Sequence, residues 1–232
     1  MSVEGIDVEV SRKQMKHLRL RLEGPDGDVK LSAPHGVPRR ELEAFVVAKL
    51  EWIRAHRSRL AEVPLVTTAS FVTGELHLLW GEDHRLVVSD SRRAHVGLVD
   101  GRLEMRIGVG TDVAARERAL ERFYRRQLGS AVPRLADEWE PVIGVEVAEW
   151  RVRKMKTRWG TCNIDARRIW LNLELAKRRP QLLEYVVVHE MVHLRERLHG
   201  EPFQALMTEA LADWRALRAE LNIDVDIGRL AG

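Results

Sequence analysis

Hydrophobic and polar residues alternate along most of the first 110 residues, as they do in half-buried strands. The alternation predicts a helix that begins at Pro38 and ends near residue 60, with strands on both sides of it. Asp100 and Gly101 form the strongest two-residue hairpin signal in the chain. The predicted strands lie at residues 3–10, 17–23, 29–33, 76–80, 85–89, 95–99 and 102–109.

The pattern changes after residue 110. Thr111 or Asp112 can cap a long helix that is predicted to reach residue 135. Two strands (145–152 and 169–175), separated by an irregular stretch, and then two helices (180–197 and 202–221) are predicted to follow. This order predicts an α+β fold with a β-rich N-terminal region, residues 1–110, and a second region, residues 111–232, that carries the chemistry. Both regions could also form one continuous domain.

Composition narrows the class of protein. The chain has 232 residues with a net charge of +3, 45% hydrophobic and 31% charged, which is typical of a globular protein rather than a disordered one. The single cysteine, Cys162, excludes a disulfide framework and any metal site built from several thiolates. The N-terminus lacks the apolar core of a secretory signal, and no apolar run is long enough to cross a bilayer. These features predict a cytoplasmic protein without a membrane partner.

Residues 189–193 read His-Glu-Met-Val-His and follow three valines. On a helix, His189 and His193 share one face, so both imidazoles can reach a single metal ion. Glu190 lies near the same face, where it can hold a metal-bound water and take its proton. This is the HExxH arrangement of zinc peptidases. The alternative is a set of surface or capping histidines on an ordinary amphipathic helix.

A third protein ligand would leave one coordination position open for catalysis. His199 is the best candidate, but ten residues of unbroken helix would separate it from His189 by about 15 Å. The helix must therefore end soon after His193, and Gly200 and Pro202 allow such an interruption. We expect His189, His193 and His199 to hold one zinc ion.

Two other zinc-site classes can be weighed against this ligand set. A glutamate ligand of the kind found in other zinc peptidases would most simply be Glu209. The histidine spacing also matches metzincins, but Glu196 stands where their turn needs glycine, which argues against that class.

A second motif lies upstream, where residues 158–162 read Arg-Trp-Gly-Thr-Cys. Together with Leu171-Asn172, the stretch 185–190, His199 and Phe203, it resembles the YgjP-type metallopeptidase family, a relative of the SprT-like and WLM zinc proteases. The resemblance covers most of the chain. It implies a zincin-like catalytic domain with an HExxH active-site helix, zinc on His189, His193 and His199, and Glu190 as general base and acid. Thr161 and Gly200 stand where the family usually has serine.

The resemblance also implies that residues 169–173 form an edge strand to which an extended peptide substrate adds, although a plain core strand fits the same alternating pattern. Arg158, Trp159 and Asn172 are candidate substrate-binding residues. Arg158 is also a candidate oxyanion partner, whereas Trp159 could equally fill the core and Asn172 could orient a ligand or a loop.

Two small residues of the same motif have simpler interpretations. Gly160 is expected to permit a turn that a side chain would block. Cys162 is expected to be a small buried residue rather than a thiol close to the metal.

Most basic clusters are expected to be solvated faces paired with neighbouring acids. Residues 151–158 differ, since five basic residues occur there without an interleaved acid, and this run is a candidate polyanion site. The sequence therefore supports three functions. The leading one is a zinc-dependent metallopeptidase, a hydrolase acting on peptides or proteins. The alternatives are a nucleic-acid-associated SprT-like protease and a non-catalytic zinc-binding module, although structural zinc usually has four protein ligands.

Overall fold

Strands and helices alternate along the chain in a mixed α+β arrangement. A computed structural model describes residues 1–15, 17–23, 27–62 and 69–228. Contacts divide the chain into two units, one of Met1–Thr68 with Asn222–Gly232 and one of Ala69–Leu221. The predicted division near residue 110 falls inside the second unit.

The first unit is a four-stranded sheet with two helices and its own apolar core. The sheet order is β1-β2-β4-β3, with β2 and β4 parallel. Its core includes Leu31, Leu42 and Ile53, each at most 2% exposed. The predicted single helix is wrong, because the chain interrupts it at Ala48 and Lys49, where no Gly or Pro gives a signal. The elements are β1 (Ser2–Val3), β2 (Ile6–Lys13), β3 (Arg19–Glu23), β4 (Asp28–Pro34), α1 (Arg39–Val47) and α2 (Leu50–Glu62).

The second unit begins with another four-stranded sheet, in the order β5-β6-β8-β7. The predicted hairpin at Asp100-Gly101 is confirmed, and both residues have positive φ (47° and 74°) as a tight two-residue turn requires. Trp80-Gly81 forms a second such turn (φ 54° and 88°). The strands are β5 (Leu76–Leu79), β6 (Glu82–Asp90), β7 (His95–Val99) and β8 (Arg102–Ile107).

A long helix, α3 (Val113–Ile143), follows this sheet. Its predicted start is confirmed, because the Asp112 side chain accepts a hydrogen bond from the Ala115 N–H at 2.7 Å. Its predicted end at residue 135 is wrong. The helix continues through Pro133 and Pro141 and ends at Gly144, whose φ of 73° favours glycine.

In sequence, a three-stranded sheet follows α3 and precedes the last helices. It contains β9 (Glu149–Arg153), β10 (Gly160–Asn163) and β11 (Arg168–Asn172), in the order β10-β11-β9. β11 is antiparallel to β10 and parallel to β9, so it is the central strand. The expectation that residues 169–173 form an edge strand is therefore wrong. Among the described residues the two edge strands are β9 and β10, and β10 lies inside a stretch predicted to be irregular.

The chain ends with a 3-10 helix (Leu173–Lys177), α4 (Pro180–Val192), α5 (Glu201–Ala210) and α6 (Trp214–Gly228). The predicted helix over 202–221 is interrupted at Leu211, whose backbone is extended (φ −129°, ψ 100°). The interruption allows Trp214 to be buried while its indole N–H donates to Thr208 Oγ1 at 3.1 Å. None of the described helices combines the length and apolarity that a membrane span needs.

Candidate metal centre

Helix α4 carries the first part of the site. It starts at Pro180, a position where the missing N–H costs no helix hydrogen bond. Three consecutive valines, Val186, Val187 and Val188, are at most 3% exposed, as are Met191 and Val192. A helix buried all round in this way holds His189 and Glu190 inside the second unit.

The helix ends directly before the second histidine. α4 stops at Val192 and His193 is its C-terminal cap (φ −63°, ψ −19°), so the predicted extent to residue 197 is too long. The requirement that the helix end soon after His193 is met. The chain then returns and brings His199 Nε2 to 3.1 Å from His189 Nε2. One ligand atom from each of His189, His193 and His199 lies within 4.8 Å of the other two.

A buried phenylalanine supports all three imidazoles. The ring centroid of Phe203, on α5, lies 4.9 Å from that of His189, 4.8 Å from that of His193 and 4.7 Å from that of His199. Phe203 is 1% exposed. Its supporting position follows from the fold of α5 and gives no signal in residue spacing, although Phe203 belongs to the motif that carries the family resemblance.

The protonation of the histidines suits metal binding. Burial, together with the neighbouring His193, His199 and Arg218, lowers the pKa of His189 to about 3. Burial also lowers the pKa of His193 and of His199 below the usual value. All three imidazoles are therefore neutral near pH 7, the form in which histidine binds a metal.

The donor set fits zinc. His193 Nδ1 lies 3.1 Å from the Glu196 carbonyl oxygen, and donation to that oxygen leaves the Nε2 lone pair free. Nδ1 of His189 is buried and has no hydrogen-bond partner in the part of the chain described, whereas its Nε2 faces His199 Nε2, so the two Nε2 atoms could share one cation. Three neutral imidazoles are typical ligands of a zinc ion that keeps one position open. Glu209 is exposed and lies outside this group.

Glu190 lies beside the histidines in a dry environment. It is 6% exposed, and burial raises its pKa to about 8 although the nearby Arg158 opposes this shift. A Cβ built on Gly160 would lie 2.6 Å from Glu190 Oε1. The expectation that Gly160 permits a turn is wrong, because Gly160 begins β10 and its φ is outside the left-handed region. Glycine is needed there to make room for Glu190.

The three candidate substrate-binding residues occupy different environments. Arg158 is exposed and close enough to Glu190 to affect its pKa. Trp159 is partly buried against the core of the second unit, and the Arg178 guanidinium lies 5.5 Å from its ring centroid. Asn172 is 4% exposed and its side-chain amide bonds to the loop that contains Arg158. A contact of any of the three with substrate stays a prediction.

Cys162 is only half-buried, and it lies outside the histidine group that could hold a metal. Burial and the nearby Glu190 raise the pKa of its thiol to about 11. Its side chain is therefore a neutral thiol near pH 7, which is a poor metal ligand.

The basic run 151–158 is partly neutralised by acids on β9 itself and on α3. Arg151 pairs with Glu149, and Lys154 lies 2.8 Å from Glu117 and 3.0 Å from Glu121 on α3. These partners are distant in sequence or precede the run, so the sequence shows an excess of positive charge that the fold reduces.

Comparison with known proteins places these observations in a family. The model of the YgjP-like metallopeptidase domain matches residues 16–224. No significant match is found among curated proteins. The solved structures that resemble the chain include the metallopeptidase zymogen of Pyrococcus abyssi abylysin, at 16% identity and a TM-score of 0.37 over 39% of this chain and 90% of that one. This structural similarity is too weak to show a common fold.

Proposed function

The chain belongs to the YgjP-like family of metallopeptidase domains, and from this premise we propose that it is a zinc-dependent metallopeptidase that hydrolyses peptide bonds. The observation that carries the proposal is the convergence of His189, His193 and His199 beside the buried Glu190. The three histidines would hold the zinc ion. This arrangement is that of a zincin-like catalytic domain with its HExxH helix at α4.

A zinc ion held by His189, His193 and His199 would supply a Lewis acid, which polarises a carbonyl group and lowers the pKa of water. Glu190 accepts the proton of the attacking water and passes it to the leaving amine. Burial raises the pKa of this carboxyl to about 8 even with Arg158 nearby, and a divalent ion held by the three histidines would favour the carboxylate. Glu190 is therefore a base near neutral pH and a strong enough acid donor once protonated.

The peptide substrate would add to the sheet at β10. This strand (Gly160–Asn163) pairs with β11 on one side, and its other side has no strand partner among the described residues. β10 also carries Gly160, where a Cβ would lie 2.6 Å from Glu190 Oε1. An extended peptide hydrogen-bonded to this edge would pass beside the catalytic carboxyl, with the recognition directed mainly at its backbone.

The alternative functions have less support. A purely structural zinc site usually has four protein ligands, whereas the described residues offer three histidines and a buried glutamate next to them. A nucleic-acid-associated protease needs a strong positive surface, and the basic run 151–158 has Arg151 and Lys154 paired with acids. Nucleic acid therefore stays a possible partner without a specific observation in its favour.

The decisive test is Glu190→Gln, which preserves the shape of the side chain and removes its basicity. We expect the variant to retain bound zinc, measured by metal analysis, and to cleave fluorescein-labelled casein about 100-fold to 10,000-fold more slowly. Glu209→Gln is a matched control, since Glu209 is exposed and outside the histidine group. A zinc-loaded Glu190→Gln protein that cleaves casein at the wild-type rate would refute the proposed mechanism.

A further inference from the structure

One buried side chain holds the loop that leads into β10. Asn172 Nδ2 donates to the carbonyl oxygens of Met155 (2.9 Å) and Arg158 (2.8 Å). Asn172 Oδ1 accepts from the N–H groups of Met155 (3.3 Å) and Glu174 (3.2 Å). The backbone N–H of Asn172 donates to the Trp159 carbonyl at 2.8 Å. Asn172 therefore fastens both ends of the loop formed by residues 155–159.

The residue type at position 172 is dictated by these partners. Two backbone carbonyls need donors and two N–H groups need an acceptor, and a primary amide supplies both kinds of atom. Aspartate would keep the acceptor and lose the donors, whereas leucine would lose both. Because Asn172 is 4% exposed, its four side-chain hydrogen bonds are shielded from water and an unmade one is costly.

The loop ends close to Glu190 and bears exposed side chains. Lys156, Thr157 and Arg158 are exposed, and the loop continues through Trp159 into Gly160, which contacts Glu190. Arg158 is the basic residue of this loop whose charge acts on Glu190. Its guanidinium has no acidic partner within the described ranges, so it is available to a substrate.

We propose that Asn172 is a positioning residue, which holds the 155–159 loop so that the Arg158 guanidinium binds the scissile carbonyl oxygen as negative charge develops on it. This inference rests on the proposed peptidase function. A guanidinium whose backbone is held in place stabilises such charge more than a freely moving one, because less reorganisation is needed during the reaction. Asn172 itself then has no contact with substrate.

A double-mutant cycle tests the link between the two residues. We compare Asn172→Asp, Arg158→Ala and the double variant as zinc-loaded full-length chains with fluorescein-labelled casein as the probe. Each single variant is expected to lower kcat by about 10-fold to 100-fold with KM changed less than about threefold. If Asn172 acts through Arg158, the double variant has the same kcat as Arg158→Ala within about twofold. Losses that multiply would overturn the inference, since they indicate independent roles.

Two controls separate positioning from general damage. Gln181→Glu is the matched control, because it makes the same amide-to-carboxylate change at an exposed residue in the first turn of α4, outside the 155–159 loop and β10. It is expected to keep wild-type kcat. Arg158→Lys keeps the charge without the planar fork and is expected to recover part of the activity that Arg158→Ala loses. An Arg158→Ala enzyme as active as wild type would overturn the inference while the proposed function stands.

Hydrogen exchange supplies a readout that does not depend on activity. Amides of residues 155–159 are expected to exchange faster in Asn172→Asp than in wild type and to be unchanged in Arg158→Ala. If Asn172→Asp does not fold, the same measurement is made on the wild-type protein alone. The Met155 amide, which donates to Asn172 Oδ1, is then expected to exchange more slowly than the amide of exposed Lys156. Equal exchange would overturn the positioning role. Zinc-loaded wild type without activity on casein would instead refute the proposed function, and with it the role of Arg158.

Discussion

Gly160 on β10 and Glu190 on α4 lie so close together that no side chain fits at position 160. A Cβ built on Gly160 would be 2.6 Å from Glu190 Oε1, 2.7 Å from Cγ and 2.9 Å from Cδ. Real Cβ atoms essentially never make contacts below 3.0 Å, so the glutamate would have to move. The glycine of the Arg-Trp-Gly-Thr-Cys motif therefore leaves the space that the carboxyl group of Glu190, the candidate general base, occupies.

Gly160→Ala is the first prediction from this contact. The added methyl group should displace the Glu190 carboxyl and lower kcat by about 100-fold, as a misplacement of about 1 Å does elsewhere. Bound zinc should be unchanged, because the three atoms nearest to the new methyl all belong to Glu190 and none to a histidine. Kinetics on labelled casein and metal analysis check both expectations.

Gly129→Ala is the matched control for that substitution. Gly129 lies within α3, and a Cβ there would meet nothing within 4 Å. Alanine in a helix interior is expected to stabilise the protein by up to about 1 kcal/mol and to leave kcat unchanged. If Gly160→Ala retained full activity, the contact with Glu190 would not be what fixes the base.

Removal of one histidine should abolish zinc-dependent stabilisation. In the wild-type protein, free zinc at 100 times its Kd should raise the free energy of unfolding by about 2.7 kcal/mol. His199→Ala removes one of three ligands and should weaken zinc binding at least 100-fold, so most of this increase disappears. Thermal unfolding with and without zinc measures the effect. His35→Ala, at an exposed residue of the first unit, should behave as wild type.

The cluster of three histidines illustrates what the sequence alone could predict. The spacing of His189, His193 and His199 required a helix that ends near His193, and α4 does end at Val192. That inference needed nothing beyond helix geometry. Secondary structure with a clear pattern was predicted equally well, as the Asp100-Gly101 hairpin and the Asp112 cap show.

Other features depend on contacts between segments distant in sequence. β10 has four residues, Gly-Thr-Cys-Asn, without an alternating pattern, so its strand conformation comes from pairing with β11. The need for glycine at position 160 comes from Glu190, thirty residues later in the chain. The partners of Lys154 come from α3 in the same way. Such contacts leave no periodic signal that a single sequence can reveal.

An ion pair between α6 and the segment before α4 predicts a pH-dependent contribution to stability. Arg179 Nε donates to Glu220 Oε1 at 2.6 Å, and a second guanidinium nitrogen bonds the other oxygen. Arg179 lowers the pKa of Glu220, so the stabilisation is present above the carboxyl's unfolded-state pKa and is lost as pH falls through its folded-state pKa. Because both side chains are about 40% exposed, Glu220→Gln should lower the free energy of unfolding by only about 0.5–1 kcal/mol at pH 7.

Urea unfolding at several pH values checks this expectation. The difference between wild type and Glu220→Gln should shrink as the pH falls below the ordinary pKa of a glutamate carboxyl, and it should vanish once the pH is below the lowered folded-state pKa. Glu209→Gln, at an exposed residue without an ion pair among the described residues, should show no difference at any of these pH values. If Glu220→Gln lowered the free energy of unfolding by as much at pH 3 as at pH 7, the ion-pair explanation would be contradicted.

The single thiol offers a direct probe of the environment around Glu190. Burial and the Glu190 charge raise the pKa of Cys162 from 9.0 to about 11, and the thiolate is the reactive form. At pH 8 the thiolate fraction is then about 100-fold smaller than in an unperturbed cysteine, so iodoacetamide should label the folded protein about 100-fold more slowly than the urea-unfolded chain. The folded-state rate should rise about tenfold per pH unit up to pH 10. A labelling rate that levels off near pH 9 would show that the pKa of the Cys162 thiol is not raised. Cys162 would then lie in a more polar environment than the half-buried one beside Glu190.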